Sequence, residues 1–361
     1  MSRVLFLVNH DVVIYNFRLE LVEELLKHNH EVIISCPYGE RIDDLVKLGA
    51  IHRDISINRH GMNPIRDLKL IRQYKNLIRE TRPDIIFSYT IKPNIYGAFA
   101  AKKYKVPFIA NITGLGTAVE NGGIKQRICV FLYKHAFKSI KKVFFQNEQN
   151  EQFFTDHKIA IGKHDILPGS GVNIQKYTPL PYPDDSIVRF VFIGRIMKEK
   201  GIDYFLESAK YIKARYQNVE FHVCGFIEEG YQGKLQEYIN QNVVIYHGMV
   251  RDIREILKTT HCTIFPSYYP EGISNVLLES AACARPIITT NRAGCKEAID
   301  DGLTGFLIPT KNQSELDCAI KKFLNLDLKS RVKMGLLGRK KIEKEFNRNI
   351  IVEKYLKEMT I

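Results

Sequence analysis

Pro266-Ser-Tyr-Tyr-Pro-Glu-Gly-Ile-Ser-Asn-Val-Leu-Leu-Glu279 joins a short apolar run, 263–266, to a helical pattern over 275–283. An extended run that ends in a proline-bounded loop and re-enters as a helix is half of a βαβ unit. Ser274 is a good N-cap for that helix. Such a start leaves backbone N–H groups and the positive helix end beside the strand's carboxyl edge, where an anion is stabilised. Gly272 lets the backbone approach a ligand closely. Glu271 then stands in the loop facing the crevice. Glu279, a turn or more into the helix, can accept hydrogen bonds from ligand hydroxyls. Two glutamates carry little alone; the strand end, the glycine and the helix start around them carry the reading.

The same alternation extends outward from this stretch. In the first half, extended runs at 4–8, 31–36, 84–88, 107–112 and 142–146 alternate with helical patterns at 19–27, 41–48, 65–80, 91–104 and 125–139. Turn formers cluster at 167–173 and 180–186 and predict a linker. Extended runs then resume at 187–193, 219–224, 243–246 and 286–289, with helical patterns at 204–215, 231–240, 253–259 and 314–324. Short strands separated by helices predict an α/β chain with two Rossmann-like, doubly wound parallel sheets. Ligands of such sheets bind outside the carboxyl ends of the strands. A last amphipathic segment, 339–359, is expected to pack back across both halves.

Composition narrows the classes. At 361 residues the chain suits roughly two domains, and 45% hydrophobic with 26% charged residues describes a folded chain rather than a disordered one. No apolar run reaches the ~18–20 residues of a membrane span. The opening run breaks at Asn9 and His10 without a small-residue cleavage site, so it reads as a buried first strand, and the expected location is cytoplasmic. Seven cysteines with no Cys-x-x-Cys pair argue against a disulfide framework or a structural zinc site. The net charge of +13 is uneven, with 26 Lys+Arg against 17 Asp+Glu in residues 1–180. A basic excess favours a polyanion, an anionic membrane or a phosphorylated ligand without choosing among them.

A second stretch, Phe192-Ile-Gly-Arg-Ile-Met-Lys-Glu-Lys-Gly-Ile202, ends a strand at Gly194-Arg195 and places Lys200-Gly201 before a helix. Arg195, through its planar fork, and Lys200, as a point charge, can clamp a diphosphate. The Gly-x-x-x-x-Gly-Lys-Ser/Thr phosphate loop is absent.

Together these stretches resemble the second domain of family 4 glycosyltransferases of the two-domain GT-B fold. Further matches are Gly225 after a strand, His247-Gly248-Met-Val250, Arg285-Pro286, Gly294-Cys-Lys-Glu297 and Asp301-Gly-Leu-Thr-Gly-Phe306. Lys92-Pro-Asn-Ile-Tyr-Gly97, Asn111-Ile-Thr-Gly-Leu-Gly116, Phe144-Phe-Gln-Asn147 and Leu167-Pro-Gly-Ser-Gly-Val-Asn173 resemble a bacterial subgroup that builds capsule, O-antigen and other lipid-linked glycans. The resemblance covers essentially the whole chain. It implies an acceptor-binding domain over 1–170, a nucleotide-sugar domain over 171–345, and a helix over 346–361 that crosses back. The two sheets would face each other across a cleft.

It also implies retaining transfer of a hexosyl or N-acetylhexosaminyl group from a UDP-linked donor to a polyprenyl-diphosphate-linked acceptor. Catalysis would then rest on Glu271, Arg195 and Lys200. Donor contacts would add Gly194, Gly225, Met249, Val250, Gly272, Ile273, Ser274, Asn275, Val276 and Glu279. No metal and no cofactor are expected, since no isolated Asp-x-Asp stands at a plausible strand end. Many relatives carry a histidine before the lysine of the first-domain loop, whereas this chain reads Ser88-Tyr-Thr-Ile-Lys92. The acceptor-side candidates are therefore spread over His10, Arg18, His60, Tyr89, Lys92 and Thr113. Relatives also tend to carry Arg or Pro where this chain has Ser274-Asn275, which bears on sugar selection.

The basic amphipathic segment 125–142 suits peripheral contact with an anionic inner leaflet or a solvated face of a core helix. Two other classes remain open from sequence. A sugar-nucleotide 2-epimerase shares the architecture, and a basic nucleic-acid or membrane-binding module shares the charge. The first needs acidic and histidine groups around the donor sugar; the second predicts salt-sensitive binding without turnover.

Overall fold

The computed structural model describes residues 1–57, 63–120 and 122–359. The chain divides into two compact units, Met1–Ser170 with Arg348–Ile361, and Gly171–Asn347. In the first, β1 (Arg3–Leu7), β2 (Glu31–Cys36), β3 (Ile51–Asp54), β4 (Ile85–Tyr89), β5 (Phe108–Ile112), β6 (Lys142–Phe145) and β7 (His164–Ile166) form one parallel sheet in the order β3-β2-β1-β4-β5-β6-β7. In the second, β8 (Val188–Ile193), β9 (Val219–Cys224), β10 (Ile245–Tyr246), β11 (Cys262–Phe265), β12 (Ile287–Thr290) and β13 (Gly305–Ile308) are ordered β10-β9-β8-β11-β12-β13, again all parallel.

The central strands are apolar because helices cover both sheet faces. In β1, Leu5 and Leu7 enter one core while Val4 and Phe6 enter the core on the opposite face. In β8, Phe190 and Phe192 face one way and Val191 and Ile193 the other. In each sheet the strand order reverses beside its first strand, between β1 and β4 and between β8 and β11. At such a point the loops after the two strands diverge to opposite faces and open a crevice at their carboxyl ends.

The final amphipathic segment, 339–359, falls on two helices, Leu328–Glu345 and Arg348–Met359, the second of which lies within the 346–361 helix that the resemblance implied. Phe346 is buried in the core of the second unit, whereas Ile351, Val352 and Tyr355 are buried in a core of the first. The chain breaks between the two sets, and the Val172 N–H donates to the Phe346 carbonyl at 2.9 Å. Arg348 holds both carboxylate oxygens of Glu20, at 2.9 and 2.8 Å, and Tyr355 packs edge-on to Phe87 at 4.9 Å.

Candidate active site

The second unit's crevice is built first by glycines. Gly194, directly after β8, has φ +157°, and Gly225, after β9, has φ +140°. A Cβ on Gly225 would stand 1.9 Å from the Gly194 carbonyl oxygen, so the two loops touch only because no side chain separates them. The Gly225 N–H donates to the Gly248 carbonyl at 2.8 Å, which ties in the loop after β10.

Arg195 leaves this junction with its guanidinium 5.2 Å from the Tyr269 ring centroid and 3.1 Å from the Glu228 carboxylate. The chain then makes a short 3-10 turn, Lys198–Lys200, closed by Gly201 at φ +79°. A Cβ on Gly201 would lie 2.1 Å from the Pro266 carbonyl oxygen, and the Tyr268 N–H donates to the Glu199 carbonyl at 2.8 Å. The loops after β8 and β11 are thereby fastened together.

Lys200 is buried by that fastening. Its ammonium donates to the Glu271 carboxylate and lies 4.9 Å from the Tyr269 centroid and 5.3 Å from that of Phe265. The Ser267 hydroxyl stands 3.4 Å from the same Glu271 oxygen. The structure therefore brings together Arg195, Lys200 and Glu271, and adds Tyr269, which the sequence reading missed. Its ring contacts both cations. The only trace in the sequence is an aromatic pair, Tyr268-Tyr269, in a loop between two named motifs.

The helix begins where expected, at Asn275, and runs to Ala282. Ser274 occupies the N-cap position but makes no side-chain cap bond there, contrary to the expected capping role. Its own N–H donates to the Gly294 carbonyl at 2.8 Å, and the side chain is buried. Gly294 is left-handed, φ +92°, and a Cβ there would meet the Gly272 carbonyl oxygen at 2.8 Å. The result is a helix N-terminus whose first N–H groups lack a side-chain cap, next to a close-packed glycine loop and two cations.

The other donor-side candidates fall into distinct settings. Ile273 is buried in the unit's main core, so its side chain packs rather than binds. Val276 and Val250 pack against a smaller core, Met249 is 72% exposed, and Glu279 is half-buried one turn into the helix.

Beside the loop after β10, His222 stacks on His247, with ring centroids 5.1 Å apart and ring nitrogens 2.9 Å apart. Burial first, and His247 second, bring His222 down to about 4. Glu220, 3.5 Å away and paired to Arg189, acts the other way without prevailing. As pH falls from 6.5 to about 4, the unfolded chain takes up a proton at this residue that the folded chain refuses. Thermal unfolding should show stability falling over that window, and His222→Gln should flatten the fall.

Candidates in the first unit are more scattered. Arg18 and Tyr89 are buried: Arg18 Nε donates to the Tyr89 hydroxyl at 3.3 Å, which donates in turn to the Tyr355 hydroxyl at 3.0 Å. Tyr355 of Arg348–Met359 covers both side chains, so neither residue is on the surface expected to meet an acceptor. His10 caps the helix Asp11–Phe17, its Nδ1 accepting from the Val12 N–H at 3.2 Å. Lys92 pairs with Asp67 at 3.1 Å, and Thr113 is half-buried in the loop after β5. His60 lies outside the described residues.

Known proteins match this chain in sequence and in fold. Residues 183–341 match the family of glycosyl transferases group 1, and residues 3–147 match the glycosyl transferase 4-like family. The chain is 28% identical to the N,N'-diacetylbacillosaminyl-diphospho-undecaprenol alpha-1,3-N-acetylgalactosaminyltransferase of Campylobacter jejuni, covering 98% of this chain and 97% of that protein. It is 26% identical to the capsular polysaccharide biosynthesis glycosyltransferase CapM of Staphylococcus aureus, covering 92% and 90%. Among solved structures, a glycosyltransferase of Rickettsia africae superposes with a TM-score of 0.81 at 20% identity, covering 99% and 97%. Anabaena HepE in complex with UDP and glucose superposes with a TM-score of 0.81 at 16% identity over all of both chains. The fold is GT-B, with two Rossmann-like parallel-sheet units.

Proposed function

Because the chain belongs to the group 1 and 4-like glycosyltransferases, one family matching each unit, we propose that it moves a sugar from a UDP-linked donor to a polyprenyl-diphosphate-linked acceptor in surface polysaccharide assembly. The observation that carries the donor reading is local. Arg195, Lys200 and the N-terminus of Asn275–Ala282 converge at the carboxyl ends of β8 and β11. Transfer expels a nucleoside diphosphate, so charge grows on phosphate oxygens. Fixed cations and helix N–H groups at that place stabilise the transition state without reorganising.

Lys200 carries three N–H donors, so it can hold Glu271 and a phosphate together. In this reading Glu271 keeps the ammonium in place and, with Glu279, receives sugar and ribose hydroxyls; Gly272 and Gly225 let the backbone close on the donor. Retention is supported by the α-1,3 linkages in the names of the Campylobacter jejuni relative and of one from Escherichia coli. The latter is the UDP-Gal:alpha-D-GlcNAc-diphosphoundecaprenol alpha-1,3-galactosyltransferase, 26% identical over 76% of this chain and 74% of that protein. A UDP donor is supported by the UDP-Gal in the Escherichia coli relative's name and by the UDP bound to HepE.

The acceptor reading rests on the same two names, both of which specify undecaprenol-linked diphosphates. Peripheral membrane contact belongs to this reading. Ile124, Ile128 and Phe131, 76%, 41% and 59% exposed, share one side of the helix Gly123–Ala136 with Lys125, Arg127 and Lys134 close by. Phe131→Ser should weaken sedimentation with phosphatidylglycerol vesicles. The function itself is tested by incubating the protein with several UDP-sugars and membrane lipid extract. Release of UDP, abolished in Arg195→Ala, is expected; no release with any donor rules the enzyme out.

A further inference from the structure

We propose that the basic pocket between the helices Pro64–Thr81 and Ile91–Tyr104 of the first unit binds the diphosphate of a lipid-linked acceptor. This rests on the transferase reading for its choice of ligand but not for its geometry. The pocket is lined by Ser56, Arg66, Asp67, Lys69, Gln73 and Lys92, among others. Asp67 is buried and engaged on two sides: it accepts from the Lys92 ammonium at 3.1 Å and from the Tyr96 hydroxyl. That pairing fixes Lys92 at the pocket wall. Three cations and one carboxylate line the pocket; Lys92 is the one paired with Asp67, and Arg66 and Lys69 stand exposed. Ser56 and Gln73 add neutral donors. The set suits a multiply charged phosphate ligand, for which charge-assisted N–H···O bonds are strongest.

The surroundings say what else the ligand carries. The helices Pro64–Thr81, Ile91–Tyr104 and Gly123–Ala136 lie side by side on one face of the sheet, burying Leu70 and Tyr74, Ile95 and Tyr96, and Val130 and Tyr133 in one core. Each starts from the carboxyl edge of the parallel sheet. At that end the first turn of Pro64–Thr81 exposes Ile65 (80%) and Leu68 (66%), and Gly123–Ala136 exposes Ile124 and Ile128. The pocket thus lies beside the exposed apolar start of Pro64–Thr81, and a second such start stands on Gly123–Ala136, which packs against Ile91–Tyr104. A soluble anion needs no apolar border, whereas a diphosphate on a hydrocarbon chain matches both parts.

The test uses the full-length protein and no nucleotide, so it is independent of turnover. Binding is measured to phosphatidylcholine vesicles containing a polyprenyl diphosphate, and separately to phosphatidylcholine vesicles containing phosphatidylglycerol. Arg66→Gln/Lys69→Gln changes only exposed side chains, and its melting temperature and UDP affinity should match the parent. Binding to the polyprenyl diphosphate vesicles should weaken roughly tenfold, with the phosphatidylglycerol vesicles affected less than about twofold. Equal weakening on both vesicles would show a general headgroup contact and overturn the proposal. Unchanged binding to the polyprenyl diphosphate would overturn it as well. If the parent shows no UDP release but the vesicle difference stands, the transferase reading fails and the lipid diphosphate site does not.

Discussion

A Lys200→Met variant is expected to lose about 10²–10³ of turnover, the usual cost of removing one preorganised charge partner from a developing oxyanion. Lys200 has one role in the structure and one in the proposed site, and the variant removes both. It is the ion-pair partner of Glu271, with side-chain exposures of 10% and 16%, and in the proposed reaction it faces the growing phosphate charge. Breaking a fully buried pair costs about 3–5 kcal/mol because the remaining charge is stranded. Partial exposure of both groups lowers that penalty here. The two effects separate in a double-mutant cycle. Glu271→Gln in the Lys200→Met background should recover most of the lost melting temperature, since no charge is then stranded. It should recover none of the turnover, since the cation is still absent. Recovery of both would make Lys200 a structural partner only.

The second large effect is expected at Gly201. Its φ of +79° already favours glycine, and a Cβ would stand 2.1 Å from the Pro266 carbonyl oxygen. Left-handed backbone costs a non-glycine residue roughly 1–2 kcal/mol, and the contact forces the loops after β8 and β11 apart. Lys200 is the preceding residue, so it moves with them. A displacement near 1 Å in a positioning group costs about 10²-fold. Gly201→Ala should therefore lower kcat/KM by about 10² while the sheets stay folded. Gly233→Ala is the matched control: no atom lies within 4 Å of its Cβ position, and steady-state kinetics should be unchanged.

These sites were legible in the sequence to different degrees, for physical reasons. β1, β4, β5 and β8 were plain because burial on both faces leaves continuous apolar runs. β3 was not: its residues Ile51–Asp54 sit at an open sheet edge, mostly exposed, and read as polar. β7, half-buried and three residues long, gave no apolar run either. The break at Phe346-Asn347 came from the family resemblance and not from periodicity, since apolar spacing continues through it although the two sides belong to different cores. At the site, Arg195, Lys200 and Glu271 were readable because charged residues and glycines at strand ends have few structural reasons to be there. What could not be read was partnership. Nothing in the spacing of Lys200 and Glu271 says that they pair, or that Tyr269 lies against both cations. Likewise Tyr89 and Arg18 looked like accessible polar groups, yet burial by a helix more than 250 residues later in the chain decides otherwise.

The most direct test of the donor site and the lipid acceptor together is transfer of label. UDP-sugars radiolabelled in the sugar are incubated with the protein and a polyprenyl-diphosphate-linked saccharide, and the organic phase is counted. The proposed site predicts label in the lipid fraction with one of the sugars, lost in Arg195→Ala and Lys200→Met and kept in Gly233→Ala. Label that stays in water with every donor, or that reaches the lipid equally in Arg195→Ala and Lys200→Met, would contradict it.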